Sequence, residues 1–131
     1  MKLHAKSWEA FLYAVVDGEI NSKSVERLLK LTSSMAARKG ISKILIDGSR
    51  VTGTLSTDER LEVAGKLVDH LNKLGANPSI VFVGHSPSYN GLGVAAARKR
   101  GVNIMLFDNI PDALARLRQR HSREKHPVAA A

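Results

Sequence analysis

The sequence has no cysteine, which excludes disulfides, thiolate metal sites and thiol nucleophiles, and with them several classes of enzyme. It also lacks a long apolar run: none approaches the ~20 residues that a helix needs to cross a bilayer. At the N-terminus, Lys2, His4 and Lys6 stand among polar residues where a signal peptide would carry an apolar block. A cytoplasmic location is the expectation. The histidines His4, His70, His85, His121 and His126 show no ligand spacing with carboxylates, so no metal is expected. Gly91-Leu92-Gly93 lacks the third glycine and the lysine of a phosphate-binding loop. No cofactor is expected, and those small residues read as a close-packing surface for a short helix.

The chain does have a net charge of +8 over 131 residues. Nucleic acid would be the first thought for such a charge, but the excess is local. Eight of the twenty Lys and Arg lie in residues 98–131, in Arg98-Lys99-Arg100 and then at Arg116, Arg118, Arg120, Arg123 and Lys125. No aromatic residues accompany that tail, and nucleic acid is not expected as a partner. Arg98-Lys99-Arg100 reads more simply as the basic end of a helix, where it complements the dipole.

Alternating apolar and polar residues over Leu3 to Trp8 and Phe11 to Val16 predict two antiparallel strands joined by a tight bend at Glu9-Ala10. Asp17-Gly18-Glu19 is expected to turn the chain. Asn21-Ser22 then caps a helix whose apolar face is Val25, Leu28, Leu29, Thr32, Met35 and Ala36, closed by Gly40. Ile41 to Ile46 reads as a central strand covered on both faces. Ser56 and Glu59 have capping-box spacing and open a second helix with Leu61, Ala64, Leu67, Val68, Leu71 and Leu74 inward, closed by Gly75. His70 lies off that face and reads as solvated.

Ser79 to Val83 and Val102 to Phe107 are further buried strands, separated by a short helix over Leu92 to Arg100. Pro111 opens a last helix with Ala113, Leu114 and Leu117 inward. The pattern predicts an α/β fold: a mixed, mostly parallel sheet of about five strands, with an antiparallel N-terminal strand pair and flanking helices. One domain over residues 1–118 is expected, followed by a basic, mobile tail over 119–131. The edge strand Leu3 to Trp8 also makes a homodimer conceivable.

In a parallel sheet, ligands gather at the carboxyl ends of the strands. Asp47, Ser49, His85, Ser86 and Asp108 are therefore candidate ligand residues, although polar residues are also what such loops ordinarily carry. Ser56 is a structural cap whose loss costs ~1 kcal/mol. As an exposed hydroxyl at a helix start it is also a candidate phosphorylation site, and Thr57 and Arg50 are candidates for the same anion chemistry. Asp58 and Glu59 would repel a phosphate there, whereas Arg50 and Arg60 would attract it. Gly84-His85-Ser86-Pro87-Ser88 has serine where a nucleophile elbow needs its last glycine. A hydrolase using Ser86 and His85, with Asp47, is the third reading, and no catalytic residue is assigned.

Two motifs resemble those of the STAS domains, which include anti-sigma-factor antagonists and the cytoplasmic tails of sulfate transporters. Gly18-Glu19-Ile20-Asn21 is similar to the Gly-Glu-Leu-Asp that enters the first helix of that family, and Ile46-Asp47-Gly48-Ser49-Arg50-Val51-Thr52 is similar to its Leu-Asp-Leu-Ser-Gly-Val-Thr. Counting on without a gap brings Ser56 onto the family's phosphorylated serine, although Leu55-Ser56-Thr57-Asp58 stands where the family has Asp-Ser-Ser-Gly. The resemblance implies a non-enzymatic regulatory or interaction module whose partner is a protein, such as a regulatory kinase or an anti-sigma factor. The sheet is similar also to that of lipid-carrying CRAL-TRIO domains, so small-molecule or lipid binding at the strand ends is the alternative.

Overall fold

The computed structural model describes residues 1–85 and 91–119. Its elements are β1 (Lys2–Trp8), β2 (Phe11–Glu19), α1 (Ser22–Lys39), β3 (Lys43–Thr52), α2 (Thr57–Leu74), β4 (Ser79–Val83), α3 (Leu92–Lys99), β5 (Ile104–Phe107) and α4 (Ile110–Leu117). The five strands form one sheet in the order β1-β2-β3-β4-β5. β1 and β2 pair antiparallel, and every later neighbour is parallel. The expected mixed sheet is therefore present, with a helix joining each parallel pair.

Strand alternation sends side chains to two cores. Leu12, Ala14, Ile44, Ile46, Ile80 and Phe82 pack with α1, α2 and α3 on one face. Phe11, Leu45, Val81 and Val83 meet Ala113 and Leu117 of α4 on the other. Ile44, Leu45 and Ile46 are fully buried, each worth about 1.5–3 kcal/mol. Because both faces of β3 and β4 are covered, their sequences are continuous apolar runs and not alternating ones.

Helix ends follow their capping chemistry. Asn21 and Ser24 form a capping box on α1, and Gly40 and Gly75 close α1 and α2 in the left-handed conformation that glycine tolerates without a Cβ penalty. Gly93 has the close-packing role read for it, since a Cβ there would lie 3.3 Å from the carbonyl oxygen of Arg60. α3 and α2 therefore approach closely.

Four expectations need correction. Asp17-Gly18-Glu19 is no turn: β2 runs through it to pair Gly18 with Val51 and Glu19 with Thr52. Asp47 to Thr52 is likewise strand, not loop, because that pairing with β2 continues beyond the end of β4. Leu61 is exposed, and Val63 takes its place in the core, because α2 is packed between α1 and α3. His70 is not simply solvated: its Nε2 lies 3.0 Å from Ser34 Oγ and links α2 to α1. No described helix is long and apolar enough to cross a membrane. The expected tail from Arg120 onward lies outside the described residues.

Candidate functional site

The parallel strands β3, β4 and β5 put their carboxyl ends on one edge of the sheet. The described candidates from the sequence lie along it, most of them held by one of three local devices.

The first is a bulge in β3. Val15 pairs with Asp47 and Asp17 with Arg50, so β3 carries one extra residue at Gly48-Ser49. Asp47 Oδ1 accepts hydrogen bonds from the Ser49 N–H at 3.0 Å and from Ser49 Oγ at 2.6 Å, which closes the bulge locally. On the same side Tyr13 meets Asp47: burial, the Asp47 charge and the hydrogen bond between them raise the phenol's pKa above its usual 10.0. Asp47 is thus engaged by Ser49 and Tyr13, which is a structural duty. Arg50 is exposed just beyond the bulge.

The second device is the start of α2. Ser56 Oγ accepts from the Glu59 N–H at 3.1 Å, and the Glu59 carboxylate accepts from the Ser56 N–H at 2.8 Å. This is the capping box expected from the spacing. Ser56 and Thr57 are exposed, at the positive end of an 18-residue helix. Asp58 and Glu59 stand in its first turn.

Arg60 departs from expectation. It is only 8% exposed, with Nε donating to the Leu55 carbonyl at 3.0 Å and Nη2 to Thr54 Oγ1 at 2.8 Å. The guanidinium fastens the loop ahead of the helix, a structural duty in place of the phosphate attraction expected of it. Its burial had no signature in the sequence, because an arginine beside Asp58 and Glu59 reads as surface charge.

The third device is the start of α4, where Asn109 Oδ1 accepts from the Asp112 N–H at 2.8 Å and Asn109 Nδ2 donates to Asp108 Oδ1 at 2.7 Å. Asp108 is exposed and tied into this cap. His85 is exposed at the end of β4, after Gly84, whose N–H donates to the Phe107 carbonyl at 3.0 Å. Ser86 lies outside the described residues. Among the described residues no cluster of His, Asp and Glu is arranged to hold a metal ion.

Sequence reasoning missed a cavity of about 80 Å³ beneath this edge, between the sheet and α1, α2 and α3. Ile20, Leu29, Leu55, Val63, Phe82 and Val94 line it, with Arg60 as its charged member. Cavities between packed layers leave no mark in sequence periodicity, since the lining residues look like any other core positions.

No family model matches the sequence, and no curated protein is significantly similar to it. Solved structures do match. An anti-sigma factor antagonist from Mycobacterium paratuberculosis superposes with a TM-score of 0.59 at 18% identity, over 90% of this chain and 94% of that one. The anti-sigma factor antagonist SpoIIAA in its unphosphorylated form gives a TM-score of 0.51 at 14% identity, over 91% of this chain and all of that one. The likeness is one of fold, across nearly the whole length of both chains. The chain therefore has the α/β fold of the anti-sigma factor antagonists, as its STAS-like motifs imply.

Proposed function

We propose that the protein is a non-enzymatic regulatory module that engages a protein partner at the carboxyl edge of its sheet, with Ser56 as a phosphorylation site. The observation that carries this reading is the placement of Ser56, an exposed hydroxyl capping α2 in a fold shared with named anti-sigma factor antagonists. A phosphate on Ser56 would gain from the helix dipole. It would also sit against the Glu59 carboxylate that now bonds the Ser56 N–H. Repulsion then opens the capping box, so modification alters the local shape of the edge as well as its charge. Exposed Arg50 and Thr57 complete the anion-binding set, and the partner is a regulatory kinase or an anti-sigma factor.

The test is intact-mass measurement of the protein expressed alongside its native kinases. A phosphate increment that disappears in Ser56→Ala supports the switch. Its absence under every growth condition overturns it.

A second reading, small-molecule binding, rests on the cavity beneath α2. At about 80 Å³ it is smaller than the ~150 Å³ hole that accepts benzene, so it suits a ligand of few heavy atoms and not an acyl chain. Native mass spectrometry of the purified protein with small apolar gases and solvents tests it, and no adduct or thermal shift would remove it.

A further inference from the structure

Among the described residues β1 pairs only with β2, so its outer side offers backbone N–H and C=O groups that no described strand takes up along Lys2–Trp8. Two open troughs flank this edge, one on each face of the sheet. On the face that carries α4, the trough is lined by His4, Ala5, Lys6, Trp8, Tyr13 and Val15, with no acidic residue among them. Lys2, His4 and Lys6 alternate along the strand and are all exposed. On the opposite face, the trough between β1 and α1 holds about 850 Å³. Leu3, Leu28 and the exposed Leu31 supply its apolar surface, and Lys23, Arg27, Lys30 and Lys66 its charge. Among the described residues Glu26 is the one acidic residue there, and it is already held by Lys30 at 2.9 Å and Lys66 at 3.8 Å.

We infer that the β1 edge is a docking site for an extended peptide segment with alternating acidic and apolar side chains, which adds to the sheet as a sixth strand. Strand addition supplies main-chain hydrogen bonds, and alternate side chains are read on the two faces. Acidic side chains on the α4 face meet Lys2, His4 and Lys6. Apolar ones on the other face enter the trough of Leu3, Leu28 and Leu31, and the lysines and arginine of α1 add to the attraction.

A second copy of this chain is a poorer occupant. A two-fold mate added antiparallel to β1 sets the Lys2-His4-Lys6 row of one chain opposite the same row of the other, and like charges directly opposite are destabilising. The chain's own C-terminal segment, with Arg120, Arg123 and Lys125 against Glu124, has the same sign. This site is independent of Ser56 and of the partner proposed for the strand ends.

Trp8 is the only tryptophan in the chain and stands at the end of the edge strand, so its emission reports occupancy. Titration of the full chain with a synthetic peptide of alternating glutamate and valine is expected to give a saturable change that weakens with added salt. Charge reversal in Lys6→Glu with Arg27→Glu, both exposed positions, is expected to weaken binding about tenfold or more. Of two peptides N-methylated at alternate residues in opposite phase, one is expected to lose binding to the unaltered protein. Equal binding of both methylated peptides and the parent overturns strand addition, and undiminished binding by the charge-reversed protein overturns the acidic preference. A response to phosphatidylserine vesicles or an oligonucleotide but not to the peptide overturns the inference, as does a β1-mediated dimer that the peptide does not dissociate.

Discussion

Arg60 Nε donates to the carbonyl oxygen of Leu55 at 3.0 Å, across the residue that caps α2. The bond reaches back five positions and ties the helix to the loop that presents Ser56. Replacing Arg60 by methionine removes this charge-assisted bond and that to Thr54, and a loss of about 1.5–3 kcal/mol in unfolding free energy is expected from chemical denaturation. Because the loop is released, amide exchange at Thr54 to Ser56 should quicken in the same variant.

Ser56 allows its structural and regulatory roles to be separated. Ser56→Ala deletes the cap and is expected to cost about 1 kcal/mol, whereas Ser56→Asp keeps an acceptor of similar capping strength and should stay close to the parent in thermal unfolding. A partner assay that loses binding with Ser56→Asp but keeps it with Ser56→Ala would follow charge and not stability.

Gly93→Ala sets a methyl group 3.3 Å from the Arg60 carbonyl oxygen, on backbone that cannot simply rotate aside. α3 must move away from α2, with an expected cost of about 1–3 kcal/mol measured by denaturant midpoint. The same shift would alter the cavity lined by Val94 and Val63.

Ser33 presents the opposite case, since its hydroxyl is buried and makes no hydrogen bond among the described residues. Ser33→Ala removes an unsatisfied polar atom from α1 and substitutes a better helix former. Stability is expected to rise by up to about 1 kcal/mol, read from the denaturant midpoint.

Tyr13 gives a pH dependence with a definite sign. Burial and Asp47 favour its neutral phenol in the folded state, so the folded pKa lies above that of the unfolded chain. The stability this provides is whole below pH 10 and falls as pH rises through the folded value. Asp47→Asn, in a Tyr89→Phe background that leaves Tyr13 as the only tyrosine, should bring its tyrosinate absorbance titration closer to the ordinary value.

Caps and buried strands were legible in the sequence because each is decided locally. Asn21 and Ser56 accept within three residues, and Ile44 to Ile46 or Ile80 to Val83 announce two covered faces by unbroken hydrophobicity. What escaped was decided by partners distant in sequence. The outer halves of β2 and β3 are polar and glycine-containing, and become strand only because they pair with each other. Arg60 and His70 look like surface residues until the loop and α1 close on them. The candidate site residues divide in the same way: Ser56 caps the helix start expected of it, whereas Asp108, read as a strand end, is tied into the cap of α4, and Asp47 and Ser49 are bonded to each other inside a strand.

The extra residue at Gly48-Ser49 works as a phase shifter. Up to Ile46 the even-numbered positions of β3 face α1 and α2, yet beyond the bulge it is the odd-numbered Val51 that packs into that core. If the same sequence ran on without the bulge, strict alternation would turn the odd-numbered Val51 toward the opposite face. The chain would then leave the sheet on the wrong side to deliver Leu55 to its buried place and Ser56 to the head of α2. The azimuth of the candidate switch is therefore encoded ten residues upstream of Glu59, in a one-residue miscount between two strands.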